Sequence, residues 1–285
     1  MSLGAFLRYA ASHPVARRTP VRTSMRIASW QLRSRLGQGP FVEPWIDDIR
    51  LSVSRGMLGA TGNLYYGLHE FVDMAFVLHL LRAGDLFFDI GANIGSYTLL
   101  AAGHCGASCW SFEPAAETRP LLVENIRLNR MEDRVRVFDC ALGAQDGEIS
   151  FSAGEDAGNR VVAADYSGAV QTVAVRRLDG LIGDARPVMM KIDVEGHEAE
   201  VFSAAEETLG RDSLLAIEIE TITPEVEALL SRHGFVRRWY DPFRRALVEQ
   251  SPGLKANNQL YVRQVEKIAE RLRSAGPVNV AGVML

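Results

Sequence analysis

Residues 87–98 run Phe87, Phe88, Asp89, Ile90, Gly91, Ala92, Asn93, Ile94, Gly95, Ser96, Tyr97, Thr98. An apolar run passes through a glycine turn into a helix start, and no other stretch restricts the fold so tightly. Leu86, Phe87 and Phe88 suit a strand covered on both faces. Gly91 and Gly95 let backbone and ligand approach closely, and residues 96–102 predict the first helix after the strand. A strand, glycine turn and helix in that order predict a nucleotide pocket.

The loop departs from the dinucleotide pattern Gly-x-Gly-x-x-Gly, because Asn93 and Ser96 stand where the second and third glycines belong. A pyrophosphate would fit it poorly. Asp89 ends the strand, and a carboxylate there suits a cationic, hydroxyl-rich ligand better than an anionic one. S-adenosylmethionine, with a sulfonium, an ammonium and no phosphate, is such a ligand. The next apolar run ends in Glu113, about 20 residues after Gly91, which is the spacing of an acidic ribose clamp. An ionised carboxylate only accepts hydrogen bonds, so it can hold two ribose hydroxyls and would repel a ribose phosphate.

Further on, Met189, Met190, Lys191, Ile192 and Asp193 form a mostly apolar strand that acquires charge at its carboxyl end, where doubly wound sheets bind ligands. Asp193 and Glu195 are therefore candidate site residues. Glu218 and Glu220 lie two apart on the following strand and share a face. A strand covered on both sides carries acids only when they are paired or ligating. For Lys191, Glu218 and Glu220 a buried ion pair and a site role both stay open.

Strand and helix patterns alternate over 86–139 and 187–232, which predicts an α/β fold, a doubly wound sheet with right-handed crossovers. Residues 147–176 interrupt the alternation as an inserted hairpin. Strands at 235–240 and 258–263 predict an antiparallel pair closing the sheet edge. The expected organisation is a basic, mobile N-terminal arm over 1–40, a strand and helix extension over 41–83, a core domain over 84–264 and a tail over 265–285. The arm carries seven arginines and no acid, so contact with an anionic membrane surface or acidic glycan is one expectation for it. A net charge of −4 argues against a dedicated nucleic-acid binder. Cys105, Cys109 and Cys140 form no metal or disulfide pattern and read as reduced thiols of a cytoplasmic protein. No uninterrupted apolar run is long enough to span a bilayer.

The motifs at 88–95, Phe112-Glu113-Pro114, Asn125 to Asn129, Ala141-Leu142-Gly143 and 191–198 resemble, in this order, those of the FkbM-type methyltransferases. The resemblance covers about residues 84–220 and implies a class I methyltransferase fold, Rossmann-like with a seven-stranded sheet. It also implies S-adenosylmethionine as cofactor and O-methyl transfer to a hydroxyl of a sugar, glycan or natural product. Carried over by position, Asp89, Gly91, Asn93 and Gly95 line the amino-acid end of the cofactor together with Asp193. Glu113 takes the ribose, and Asp139, Cys140 and Ala141 flank adenine. Because an aliphatic hydroxyl is a poor nucleophile, a base or a metal must accept or acidify its proton. Asp193 or His197 is the expected base, with Glu195 orienting substrate. A divalent cation held by Asp193 with Glu218 or Glu220 is the alternative. A non-catalytic nucleotide-binding domain and an NAD-dependent oxidoreductase are the rival readings of the whole chain.

Overall fold

The computed structural model describes residues 9–154, 158–163 and 165–285. Its centre is an eight-stranded sheet. Five parallel strands are β3 (Leu86–Ile90), β4 (Ser108–Phe112), β5 (Val135–Phe138), β9 (Met189–Ile192) and β10 (Ala216–Ile219). The remaining three are β11 (Val236–Asp241), β12 (Ala246–Val248) and β13 (Gln259–Val262), in the order β12-β11-β13-β10-β9-β3-β4-β5. β13 runs antiparallel to both neighbours and inserts between β10 and β11. The expected antiparallel pair is thus present, but β13 is interior. β12, in a stretch that reads as turns from the sequence, forms a hairpin on β11 and makes the eighth strand.

Adjacent residues on each central strand feed opposite cores, as buried parallel strands require. Phe87 and Met189 enter one core; Phe88 and Met190 enter the other. The first core lies against α4 (Phe71–Leu80), all ten of whose residues are buried. The second lies against α8 (Glu198–Phe202), α9 (Glu206–Gly210) and α10 (Pro224–Arg232). The helical stretch that follows β9 is broken at 203–205, between α8 and α9. The inserted segment forms a separate three-stranded sheet of β6 (Cys140–Leu142), β8 (Val170–Arg176) and β7 (Gly147–Ser152), with β7 and β8 antiparallel.

Both ends of the chain correct the expectation. Residues 14–36, read as a mobile arm, form α1 (Pro14–Arg18) and α2 (Pro20–Leu36) packed on the first core. Val15 and Trp30 are buried, His13 stacks on Tyr66 at 4.4 Å, and Arg26 donates to the Tyr65 carbonyl. Pro14 and Pro20 stand at the first position of each helix, where proline has no hydrogen bond to lose. The tail expected over 265–285 forms α11 (Val265–Arg273) and the hairpin β14 (Asn279–Val280) and β15 (Val283–Met284). It buries Ile268, Leu272 and Val280 in the same core. Within the expected strand and helix extension, residues 58–66 form α3 (Leu58–Tyr66). Gly62 belongs inside it, because a Cβ there would meet the His69 ring at 2.2 Å.

Candidate cofactor and acceptor site

The carboxyl ends of β3, β4, β9 and β10 meet at one cleft. At the end of β3 the chain takes a left-handed turn at Gly91, and a Cβ there would lie 1.8 Å from the Asp193 carbonyl oxygen. Only glycine lets the β3 and β9 loops approach so closely. Asn93 is also left-handed, with its side-chain oxygen accepting from the Ile94 amide at 2.7 Å. Gly95 faces elsewhere: a Cβ on it would meet Leu122 of α6 (Arg119–Leu128) at 2.5 Å. Its role here is helix packing.

Glu113 joins the loops of β3 and β4. Its carboxylate accepts from the Asn93 amide at 2.9 Å and the Ala115 amide at 2.8 Å. Burial pushes its carboxyl up to about 7, against the pull of those amides. Asp89 is fully buried and accepts from the Thr98 amide and hydroxyl, so it braces α5 (Ser96–Leu99) against β3. Burial raises its carboxyl as well, while Lys191 opposes the rise.

On β9 the Lys191 ammonium lies 2.6 Å from Asp193 and 4.6 Å over the Tyr97 ring. Burial alone would lower Lys191, but Asp193, Glu70 and Asp89 together hold it charged and push it above its ordinary value. Burial works against the charge of Asp193, yet Lys191 prevails and depresses it. Burial and the neighbouring Asp193 and Glu195 raise Glu220 to about 8. Near neutrality Asp193 is therefore ionised and Glu220 is mostly protonated.

The cleft has two arms that share Gly91, Asn93 and Asp193. One arm, enclosing about 590 Å³ with its mouth, runs past Glu113 and Pro114 to an apolar wall of Cys140, Ala141, Leu142 and Phe151. The other runs past Asp89, Lys191 and Tyr97 to His69 and Glu70. Beyond Glu220 lies a polar chamber between α4, β10, β11 and residues 251–258, with Arg237 and Arg238 in its wall. Sequence reasoning missed two of the parts. Phe151 comes from the inserted hairpin, and Asp73 is hidden in an apolar helix.

The remaining candidates separate. His197 is half-buried on the Cys140–Leu142 arm, with its Nε2 close to Gly143, and burial lowers it. It does not line the Lys191 arm. Glu195 is exposed at the cleft edge in a left-handed turn, and Glu198 is buried, accepting from the Val194 and Gly196 amides. Asp139 is exposed and lines neither arm, although its neighbours Cys140 and Ala141 do. Among the described residues one trio, Asp193, Glu195 and Glu220, brings three candidate metal-ligating side chains within 4.8 Å of one another. Glu218 is instead buried beside Lys191 in the parallel register, where burial holds its carboxyl well above its usual range.

The donor set fits S-adenosylmethionine. The buried Glu113 carboxylate can accept from ribose hydroxyls, an apolar wall can take adenine, and Asp89, Asp193 and Glu70 offer negative charge toward a sulfonium and an ammonium. The same acids would repel a pyrophosphate. The family model for the methyltransferase FkbM domain matches residues 89–241, a little over half of the chain. The hexuronic acid methyltransferase AglP of Haloferax volcanii is 30% identical over 52% of this chain; the match spans 62% of that relative, less than two thirds of its length. The 31-O-demethyl-FK506 methyltransferase FkbM of Streptomyces tacrolimicus is 29% identical over 58% of this chain and 78% of its own length. The crystal structure of a methyltransferase FkbM from Methylobacillus flagellatus superposes with a TM-score of 0.45 at 17% identity, over 84% of this chain and 59% of that one. With its parallel sheet, its glycine turn and a family match over residues 89–241, the chain belongs to the FkbM family of methyltransferases.

Proposed function

We propose that the protein transfers the methyl group of S-adenosylmethionine to a hydroxyl of a sugar or natural product. The observation that carries this reading is the pair of arms meeting at Asp193, with the ribose carboxylate on one and the Lys191–Asp193 ion pair on the other. Glu113 would hold the ribose, Gly91 and Asn93 the amino-acid end, and the Cys140–Leu142 wall with Phe151 the adenine. The names of two relatives, which specify a hexuronic acid and 31-O-demethyl-FK506, agree with an oxygen-rich acceptor.

Bound cofactor supplies an activated methyl group. The acceptor oxygen forms its bond to the methyl carbon as the carbon–sulfur bond breaks, leaving S-adenosylhomocysteine and a proton to be removed. The protein's work is alignment of that oxygen and removal of that proton. We assign the proton to Asp193, which Lys191 keeps ionised at the junction of the arms. His197 is assigned to the cofactor wall and Glu195 to the rim.

Calorimetric titration tests the reading. S-adenosylhomocysteine should bind and NAD should not, and Glu113→Ala should weaken the former about 10- to 100-fold by removing charge-assisted hydrogen bonds. Binding of NAD alone would overturn it. Asp193→Asn should lower turnover of an accepted substrate by about 10²- to 10⁴-fold, the usual worth of a general base.

A further inference from the structure

We propose that the polar chamber beside Glu220 is the acceptor site, and that its ligand is a sugar carrying an acidic substituent, a phosphate or a carboxylate; this rests on the methyl-transfer reading above. The chamber is closed on one side by residues 251–258. The Asp73 carboxylate holds that segment down, accepting from the Asn257 amide at 2.8 Å and the Asn258 amide at 3.4 Å.

The chamber contains buried polar atoms without a partner. Asn258 is 6% exposed and lines it, yet neither its side-chain oxygen nor its nitrogen makes a hydrogen bond. Glu218 is 1% exposed, lines it too, and leaves Oε2 without one. Native structures rarely leave such groups unmet, so a ligand that meets them is favoured. An amide presents a donor beside an acceptor, and a protonated carboxyl presents one of each. Their common complement is the hydroxyl, which does both. The unmet set therefore selects a hydroxyl-bearing ligand over an apolar one, and Arg237 and Arg238, which also line the chamber, add positive charge to it. Glu220 on the same wall brings a carboxylate oxygen within 4.8 Å of Asp193, which ties the chamber to the junction of the cofactor arms.

The acidic substituent follows from the neighbouring groove. Leu254, Lys255 and Asn257 line both the chamber and a groove that continues along α1 past Arg17 and Arg18. Among the described residues three cations line that groove and no carboxylate does, although Glu70 accepts from the side chain of the groove residue Asn257. Among the described residues Lys255 makes no ion pair; its ammonium lies 5.7 Å from the Tyr9 ring centroid. Arg17 and Arg18 come from a segment outside the matched family domain.

The test is calorimetry on protein saturated with S-adenosylhomocysteine, with glucose, glucuronic acid and glucose 6-phosphate as probes. Both charged sugars, or one of them, should bind about tenfold or more tightly than glucose, as charge-assisted contacts imply. Which of the two binds distinguishes carboxylate from phosphate. Lys255→Glu, at an exposed position, should erase that preference, and Asn258→Leu should weaken every sugar while cofactor affinity stays within about twofold. Equal binding of glucose, no binding of any sugar, or indifference to Lys255→Glu would each overturn the proposal. If Asn258→Leu fails to fold, the Lys255→Glu arm still decides. Loss of S-adenosylhomocysteine binding with retained sugar binding would instead sink the methyl-transfer reading and leave the sugar site standing.

Discussion

The glycine turn at 91–95 and the segment 251–258 flank the same junction, but they are held in different ways. The turn is fixed by backbone: Gly91 and Ala92 donate to the Phe112 carbonyl, Asn93 donates to Glu113, and β3 and β9 leave no room for a side chain. The acceptor segment hangs from the carboxylates of Asp73 and, through the Asn257 side chain, Glu70, and leaves the side-chain amide of Asn258 without partners. A cofactor shared across a family can be met by fixed backbone geometry. An acceptor that differs between relatives is met by side chains on a segment that can change without disturbing the sheet.

The sharpest way to break this contrast is to add one methyl group to each region. Gly91→Ala puts a Cβ 1.8 Å from the Asp193 oxygen at a φ of 82°, so both overpacking and backbone strain oppose it. The expected cost is about 3 kcal/mol or more of stability, with loss of S-adenosylhomocysteine binding. Gly253→Ala, at a φ of 77° with open space around it, should cost only about 1 kcal/mol and spare cofactor binding. Thermal unfolding and calorimetry on both variants read the difference. Equal losses would mean that the two regions are equally rigid.

The same contrast explains what the sequence made legible. Gly91, Glu113 and Asp193 stood out because their constraint is local: a strand end, a turn and a fixed offset to the next strand. The acceptor chamber did not. Asp73 lies inside the apolar helix α4 and Asn258 about 185 positions away, and only the fold brings them together. The N-terminal helices were misread because their burial depends on tertiary partners: His13 on Tyr66, and Trp30 against Phe41. Charge alone suggested a solvated arm there, and two of the seven arginines that did so, Arg17 and Arg18, line a groove.

A smaller effect comes from titration. Burial lifts Glu113 to about 7, whereas its unfolded carboxyl titrates near 4.3. Its native state therefore holds a proton over roughly pH 4 to 7 that the unfolded chain has lost, so its contribution to stability falls as pH rises through that window. Cofactor affinity should move oppositely, because ribose hydroxyls donate to the ionised form. Calorimetry should find S-adenosylhomocysteine binding about five- to tenfold tighter at pH 8 than at pH 6, with Glu113→Gln flattening the dependence. A slope unchanged by that substitution would assign the titration to another group.

The smallest expected effect is the response to chelation, which bears on whether the junction is organised by a metal or by protein charge. Asp193, Glu195 and Glu220 approach closely enough to hold an ion. One feature acts against it: the Lys191 ammonium is already 2.6 Å from Asp193 and supplies the positive charge a cation would bring. Methyl transfer should accordingly stay within about twofold after exhaustive treatment with a chelator, since Lys191 rather than a metal holds Asp193 ionised. A tenfold loss restored by magnesium would reverse this assignment. Lys191→Met then separates the two accounts: with protein charge in control it releases Asp193 toward its ordinary range or above and lowers turnover, whereas a bound metal would leave turnover nearly unchanged.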